Sequence, residues 1–277
     1  MNKPMPKVQR RNERFAEKVR TRIWKEVPSS ENPYITSRCL CHGYDLIELM
    51  RKRSYTDVVF LLLRGELPTN TQHDLMEALM VGLCNPGTRH PATRAAMTAG
   101  IGKTNTAHIL PIALSIIGGA YLGGSEVQAS MRFIRTHFNK DAAQVVEELT
   151  IDANLIEQNK HIVPGFGRRF GNIEIISEHM ARALSEMGGA GKALSWGMVF
   201  VENLRKHGYG WLIPSVAAAT FLDLGFHPRV GAGLFQMFCA PGLLAHGLEL
   251  ANKPITAMPF IDDEDYYIYE AERSIKD

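Results

Sequence analysis

At 277 residues and 30.9 kDa the chain is long enough to bury a large core. Apolar residues at 45% and charged residues at 22% exclude both a disordered chain and a coiled coil. A formal charge of +2, from 31 Lys+Arg against 29 Asp+Glu, sets up no global field that would point to nucleic acid or to a membrane surface.

The charge is unevenly placed. Residues 1–22 carry eight Lys/Arg and two Glu, a local +6, and the stretch from Asp262 to Asp277 carries seven acids against two bases. Solvated terminal tails are the plain reading of both, so residues 1–22 read as a basic arm ahead of a body spanning 23–277. Cys39, Cys41, Cys84 and Cys239 are too few and too badly spaced for a disulfide framework or a zinc knuckle. Reduced thiols, no metal and a cytoplasmic location are therefore expected. The first 22 residues lack a continuous apolar run, so no secretory leader is expected either.

Helical periodicity dominates from Tyr44 onward. Leu46, Leu49 and Met50 share one face of a short segment after Tyr44-Asp45. The run from Asp57 to Leu63 follows Ser54 and Thr56 as possible caps and stops at Gly65, with Pro68 beyond. Helices are predicted over Thr69–Cys84, His90–Gly100, Asn105–Gly118, Ser125–Phe138 and Ala142–Asn159. The segment from Ala107 to Leu122 is the most apolar. His108, Pro111 and Gly118-Gly119 interrupt it, so it reads as a buried core helix rather than a membrane span.

Three glycines, one proline and an arginine pair between Val163 and Asn172 mark a loop. Helices resume over Ile175–Met187, Ala193–His207, Ile213–Leu224 and Val230–Leu250. The only hint of strand alternation lies at Tyr34–Cys39. About ten helices joined by short loops make an all-α domain.

Four segments, in order along most of the chain, resemble the citrate synthase and citryl-CoA lyase superfamily. His42-Gly43-Tyr44-Asp45-Leu46, with Asp57-Val58-Val59-Phe60-Leu61-Leu62-Leu63-Arg64-Gly65-Glu66-Leu67-Pro68-Thr69, is similar to the family's "RGYD" and "YLLLxGELPT" stretches. Gly119-Ala120-Tyr121-Leu122-Gly123-Gly124 resembles "GPLHGG", and Pro164-Gly165-Phe166-Gly167-Arg168-Arg169 resembles "PGFGHR". Phe235 to His246 resembles "FAISRxxGWxAH". The resemblance implies a large helical domain with a smaller helical lobe, about 160–230, and a homodimer with no nucleic-acid or membrane partner. It also implies chemistry on a coenzyme A thioester, as a carbon–carbon lyase or an acyltransferase.

In that family a carboxylate takes a proton from the carbon next to the thioester, one histidine steadies the enolate and a second polarises the acceptor. An α-thioester proton is too weakly acidic for a free carboxylate, so preorganised donors at the developing oxyanion must supply several kcal/mol. Here the three catalytic positions fall on Leu122, Arg168 and Ala217. The acceptor-binding arginine falls on Cys239. Asp223, six residues after Ala217, lies on a different helical face.

The resemblance assigns Val163, Pro164, Gly165, Phe166 and Gly167 to coenzyme A, because that loop's backbone lies against the adenine in the family. A plain helix-connecting turn is the competing reading. Arg168 and Arg169 are natural anion clamps for a substrate, or a solvated surface pair. Arg168 stays protonated, so it could donate to an oxyanion but not shuttle a proton at neutral pH. Glu126 could replace the missing carboxylate, or help cap a helix. His161 could reach the cleft, or stand in solvent. His246 reads as a satisfied core histidine, and Lys103 as a surface lysine rather than part of a phosphate loop.

With Leu122 in a histidine's place, the pocket is expected to take a less charged substrate than oxaloacetate. Two functions stay open: an enzyme with a rebuilt site, and a non-catalytic acyl-CoA-binding relative or partner subunit of an active family member.

Overall fold

The computed structural model describes residues 16–149 and 161–267. Most of the basic arm (1–15), residues 150–159 of the helix expected over Ala142–Asn159, and the acidic end from 268 lie outside the described residues. Eleven α-helices and five short strands make up the described residues, so the chain is all-α as expected. It packs as two compact units, divided after Leu67; residues 161–230 fall inside the second.

The first unit carries a three-stranded sheet, of which periodicity hinted only at the second strand, through Tyr34–Cys39. β1 (Trp24–Pro28) pairs antiparallel with β2 (Thr36–Cys41), and β2 with the two-residue β3 (Tyr44–Asp45). β1 is exposed along nearly its whole length, so it has no buried face to impose alternation on its sequence. His42 (φ 46°) and Gly43 (φ 90°) form the turn between β2 and β3. Asp45 then caps α1 (Leu46–Lys52), accepting from the Ile47 and Glu48 amides at 2.9 and 3.2 Å. Its carboxyl is held below the usual range, first by the Arg38 hydrogen bond. The His-Gly-Tyr-Asp-Leu motif is thus a turn and a helix cap.

α2 (Tyr55–Arg64) starts at a capping box of Ser54 and Asp57, not at Thr56, and ends at Gly65 in the left-handed region (φ 84°). Cys41, Leu49 and Leu61, with Val58 and Leu67, form this unit's core.

The second unit is helical. It comprises α3 (Asn70–Leu83), α4 (Pro91–Ile101), α5 (Thr106–Ile117), α6 (Gly124–His137) and α7 (Ala142–Glu148). Beyond residue 161 come α8 (Ile175–Ser185), α9 (Lys192–Leu204), α10 (Ile213–Asp223) and α11 (Pro228–Ala251). α7 stops at Glu148 because Leu149 is extended (φ −76°, ψ 122°), short of the end predicted for that helix.

α11 is, among the described residues, long and apolar enough to cross a membrane. It packs against α4, α5 and α6 and buries ten residues, from Pro228 to Leu250. α4 and α11 cross at glycines: a Cβ on Gly100 would stand 2.0 Å from the Gly247 carbonyl oxygen. Pro241 leaves α11 one intrahelical bond short, and the Gly242 amide instead donates to the Cys84 carbonyl at 2.7 Å. α5 is less buried than its composition suggests. It encloses Ile109, Ala113 and Ile117 but leaves Ile112 and Ile116 about two-fifths exposed.

α10 is buried almost throughout, Ala217 included. Its last residue, Asp223, caps α9 from a distance, accepting from the Gly191, Ala193 and Leu194 amides at 2.7–3.0 Å. Gly191, the N-cap itself, has no side chain to do so. Phe166 sits in an aromatic cluster, its ring centroid 5.0 Å from that of Phe200 and 5.1 Å from that of Trp211.

Candidate active site

The predicted loop contains order that glycine and proline content concealed. Phe166–Gly167 form β4, paired antiparallel with β5 (Gly210–Trp211). Arg169 and Asn172 exchange backbone hydrogen bonds across Phe170 (φ 50°) and Gly171 (φ 81°), a two-residue hairpin turn. Gly165 (φ 81°) sits against the start of α10, where a Cβ would stand 2.7–2.8 Å from Ser215 and Ser130 atoms. Only glycine fits there. Within the stretch assigned to coenzyme A, Phe166 is fully buried among aromatic rings, whereas Pro164 is partly exposed at the surface.

Glu126 joins this loop to the start of α6. It is 5% exposed. One carboxylate oxygen accepts from the Leu122 amide at 2.8 Å; the other accepts from the Gly165 amide at 3.0 Å and from His161 Nδ1. Three donors satisfy the charge that burial would otherwise penalise. His161, 20% exposed, is thereby oriented through Nδ1, leaving Nε2 as its second proton site. Glu126 sits in the first turn of α6, and its side chain holds the His161 imidazole.

Leu122 is held in the left-handed region (φ 50°), a conformation that costs a branched apolar residue of order 1 kcal/mol or more. Its amide is fixed by Glu126 and its carbonyl by His90 Nε2 at 3.3 Å. His90 is itself the N-cap of α4, its Nδ1 accepting from the Ala92 amide at 3.1 Å, so Nε2 carries the proton. Burial, together with the nearby Arg169 charge, pushes its pKa down and keeps the ring neutral.

The two arginines differ. Arg168 is engaged by backbone: Nε donates to the Gly208 carbonyl at 2.9 Å and a terminal nitrogen to the His207 carbonyl at 2.6 Å, with the guanidinium 4.8 Å from the Tyr209 ring centre. Arg169 pairs with Glu174, and its buried Nε has no hydrogen-bond partner among the described residues. Arg169 also lines two cavities.

Three adjoining cavities run past these groups. The outer one, about 330 Å³, is bounded by Glu126, His161, Val163 and Pro164. A middle one of about 70 Å³ lies among Tyr121, Leu122, His161, Arg168, Arg169 and Phe170. The inner one, about 160 Å³, is lined by His90, Leu122, Arg169, Glu174, Phe235 and Cys239, among others. His161 borders the outer and middle cavities; Leu122 and Arg169 border the middle and inner ones.

Ala217 is buried within α10 and lines none of the three. His246 is not a core residue: it is partly exposed and bonded to Asn85 Oδ1 at 3.2 Å. Lys103 caps the end of α11, donating to the Ala251 and Lys253 carbonyls. Sequence alone does not mark His90 or Glu174 as site residues. The His-Pro pair signals only a helix start, and nothing local marks Glu174.

No family model matches the chain, and no curated protein matches its sequence. Solved structures do. Citryl-CoA lyase from Hydrogenobacter thermophilus is 23% identical, with a TM-score of 0.72 over 93% of this chain and 97% of that one. ATP citrate lyase from Methanothrix soehngenii, in complex with citrate and coenzyme A, is 17% identical, with a TM-score of 0.72 over 95% of this chain but 44% of that one. Citrate synthase from Thermoplasma acidophilum, in a ternary complex with carboxymethyl coenzyme A and oxaloacetate, is 18% identical, with a TM-score of 0.59 over 80% of this chain and 58% of that one. The fold is therefore citrate synthase-like.

Proposed function

We propose that this citrate synthase-like chain binds a coenzyme A thioester along the three adjoining cavities and makes or breaks a carbon–carbon bond, or transfers the acyl group, beside the thioester. The neighbours solved with coenzyme A or carboxymethyl coenzyme A share the fold and so favour that ligand. The nucleotide end belongs at the outer cavity, beside Val163 and Pro164. The acyl end belongs in the inner one.

The observation that carries the reading is the His161–Glu126 pair at the junction of the outer and middle cavities. A carboxylate that orients one imidazole nitrogen leaves the other to take or return a proton, which is the role the missing acid leaves open. Arg169, which borders the middle and inner cavities, supplies a fixed donor for the developing oxyanion. His161→Gln is expected to lower turnover of a responsive thioester by about 10²–10⁴-fold while leaving coenzyme A affinity, read by calorimetry, within a factor of a few. Unchanged turnover would remove His161 from the chemistry.

A non-catalytic acyl-CoA-binding protein, or a partner subunit of an active relative, is the second reading. Leu122 and Ala217 bring no functional group to two inherited catalytic positions, and Arg168 is spent on backbone carbonyls. Coenzyme A binding without turnover of any acyl thioester would decide for it. A cytoplasmic homodimer without metal completes the proposal. Its support is the set of free cysteines among the described residues and the exposed Ile112 and Ile116 on α5.

A further inference from the structure

The inner cavity holds charged groups, yet their sum is zero. Arg169 is its one cation, and Glu174, 8% exposed at its side chain, is bonded directly to it. His90 is kept neutral by burial and by that same arginine. Cys239, where a substrate-binding arginine stands in the resembling family, has its thiol pushed up to about 12 by burial and so stays protonated. Leu83, Leu122, Met180 and Phe235 supply apolar wall.

A dicarboxylate entering this space would find no unpaired cation, and the one unpaired N–H of Arg169 is too little to offset the hydration its two carboxylates lose. The volume, about 160 Å³ at about 30 Å³ per water-sized group, fits about five non-hydrogen atoms.

Resting on the thioester reading, we propose that the acyl group is uncharged and apolar, four to six non-hydrogen atoms long, and that Glu174 sets this specificity by neutralising Arg169. Glu174 acts through Arg169 and is a specificity-determining residue rather than a catalytic one. Its neighbour Ser177 donates to the second carboxylate oxygen and holds the group in place. Removing the charge alone should therefore turn the same cavity towards an anionic acyl chain.

The experiment is calorimetric titration of coenzyme A, butyryl-CoA and succinyl-CoA into the wild type, Glu174→Gln and Ile176→Phe. The wild type is expected to bind butyryl-CoA at least tenfold more tightly than succinyl-CoA. Glu174→Gln should shrink or invert that ratio by about tenfold with coenzyme A affinity unchanged. Ile176 lines the cavity from an exposed position, so Ile176→Phe tests the space without endangering the fold, and should erase the gain of butyryl-CoA over coenzyme A. Equal binding of the two acyl thioesters by the wild type, or an unaltered ratio in Glu174→Gln, overturns the inference. If Glu174→Gln does not fold, the wild-type ratio and the Ile176→Phe result decide. Failure of coenzyme A itself to bind the wild type would instead overturn the thioester reading beneath it.

Discussion

His90 links three tasks through one ring: it caps α4, fixes the carbonyl of the strained Leu122 and walls the inner cavity. Because its folded pKa is lowered, the unfolded chain binds more protons between that value and the ordinary histidine value of about 6.5. Stability should therefore be insensitive to this residue above about pH 6.5 and fall as the pH drops through the window below. His90→Asn keeps a capping side chain but cannot titrate. The difference in urea midpoint between wild type and His90→Asn, followed from pH 8 to pH 5, should shift steadily against the wild type; a flat difference would show that protonation of His90 is not linked to unfolding. The local half of this residue was readable, since a polar residue before proline starts a helix. Its contact with Leu122, 32 residues on, was not.

At the scale of elements, capping and glycine placement explain most helix ends. Thr69 and Gln72 form a reciprocal box at α3, as Ser54 and Asp57 do at α2. Asp223 shows the limit of such reading, for it caps a helix that begins some thirty residues earlier in the chain. The α4–α11 crossing depends on glycine for close approach, and two substitutions test that against simple helix propensity. Gly100→Ala meets the Gly247 carbonyl and should cost about 1–3 kcal/mol. Gly233→Ala, on α11 with nothing within 4 Å of the added Cβ, should gain about 0.5–1 kcal/mol. Chemical denaturation of both variants measures the contrast, and equal effects would show that propensity rather than packing governs the crossing. The strands were the least legible elements: β3, β4 and β5 are two residues each, too short to display any period.

At the scale of the whole molecule, the proposed dimer makes its own prediction. α5 exposes Ile112 and Ile116, and α11 exposes Met237 and Leu248, each by about two-fifths. If these apolar positions pair between copies, Ile116→Glu should shift the mass read by light scattering from dimer to monomer at micromolar concentration, because an unpaired carboxylate would be buried in the contact. A wild-type monomer at that concentration would remove the homodimer from the proposal.

The amino-acid order alone determined the helical class, most helix starts and stops, and the glycine turn at Gly165. These are properties of a residue and its near neighbours, set by backbone freedom, capping and apolar spacing. Tertiary structure alone decided that Glu126 would reach His161 across 35 residues, that Arg168 would turn to backbone carbonyls while Arg169 kept a free donor, and that Glu174 would cancel the charge of the inner cavity. Such pairings depend on where packed helices bring distant side chains together, and a buried charge is tolerated only where that packing supplies its partner.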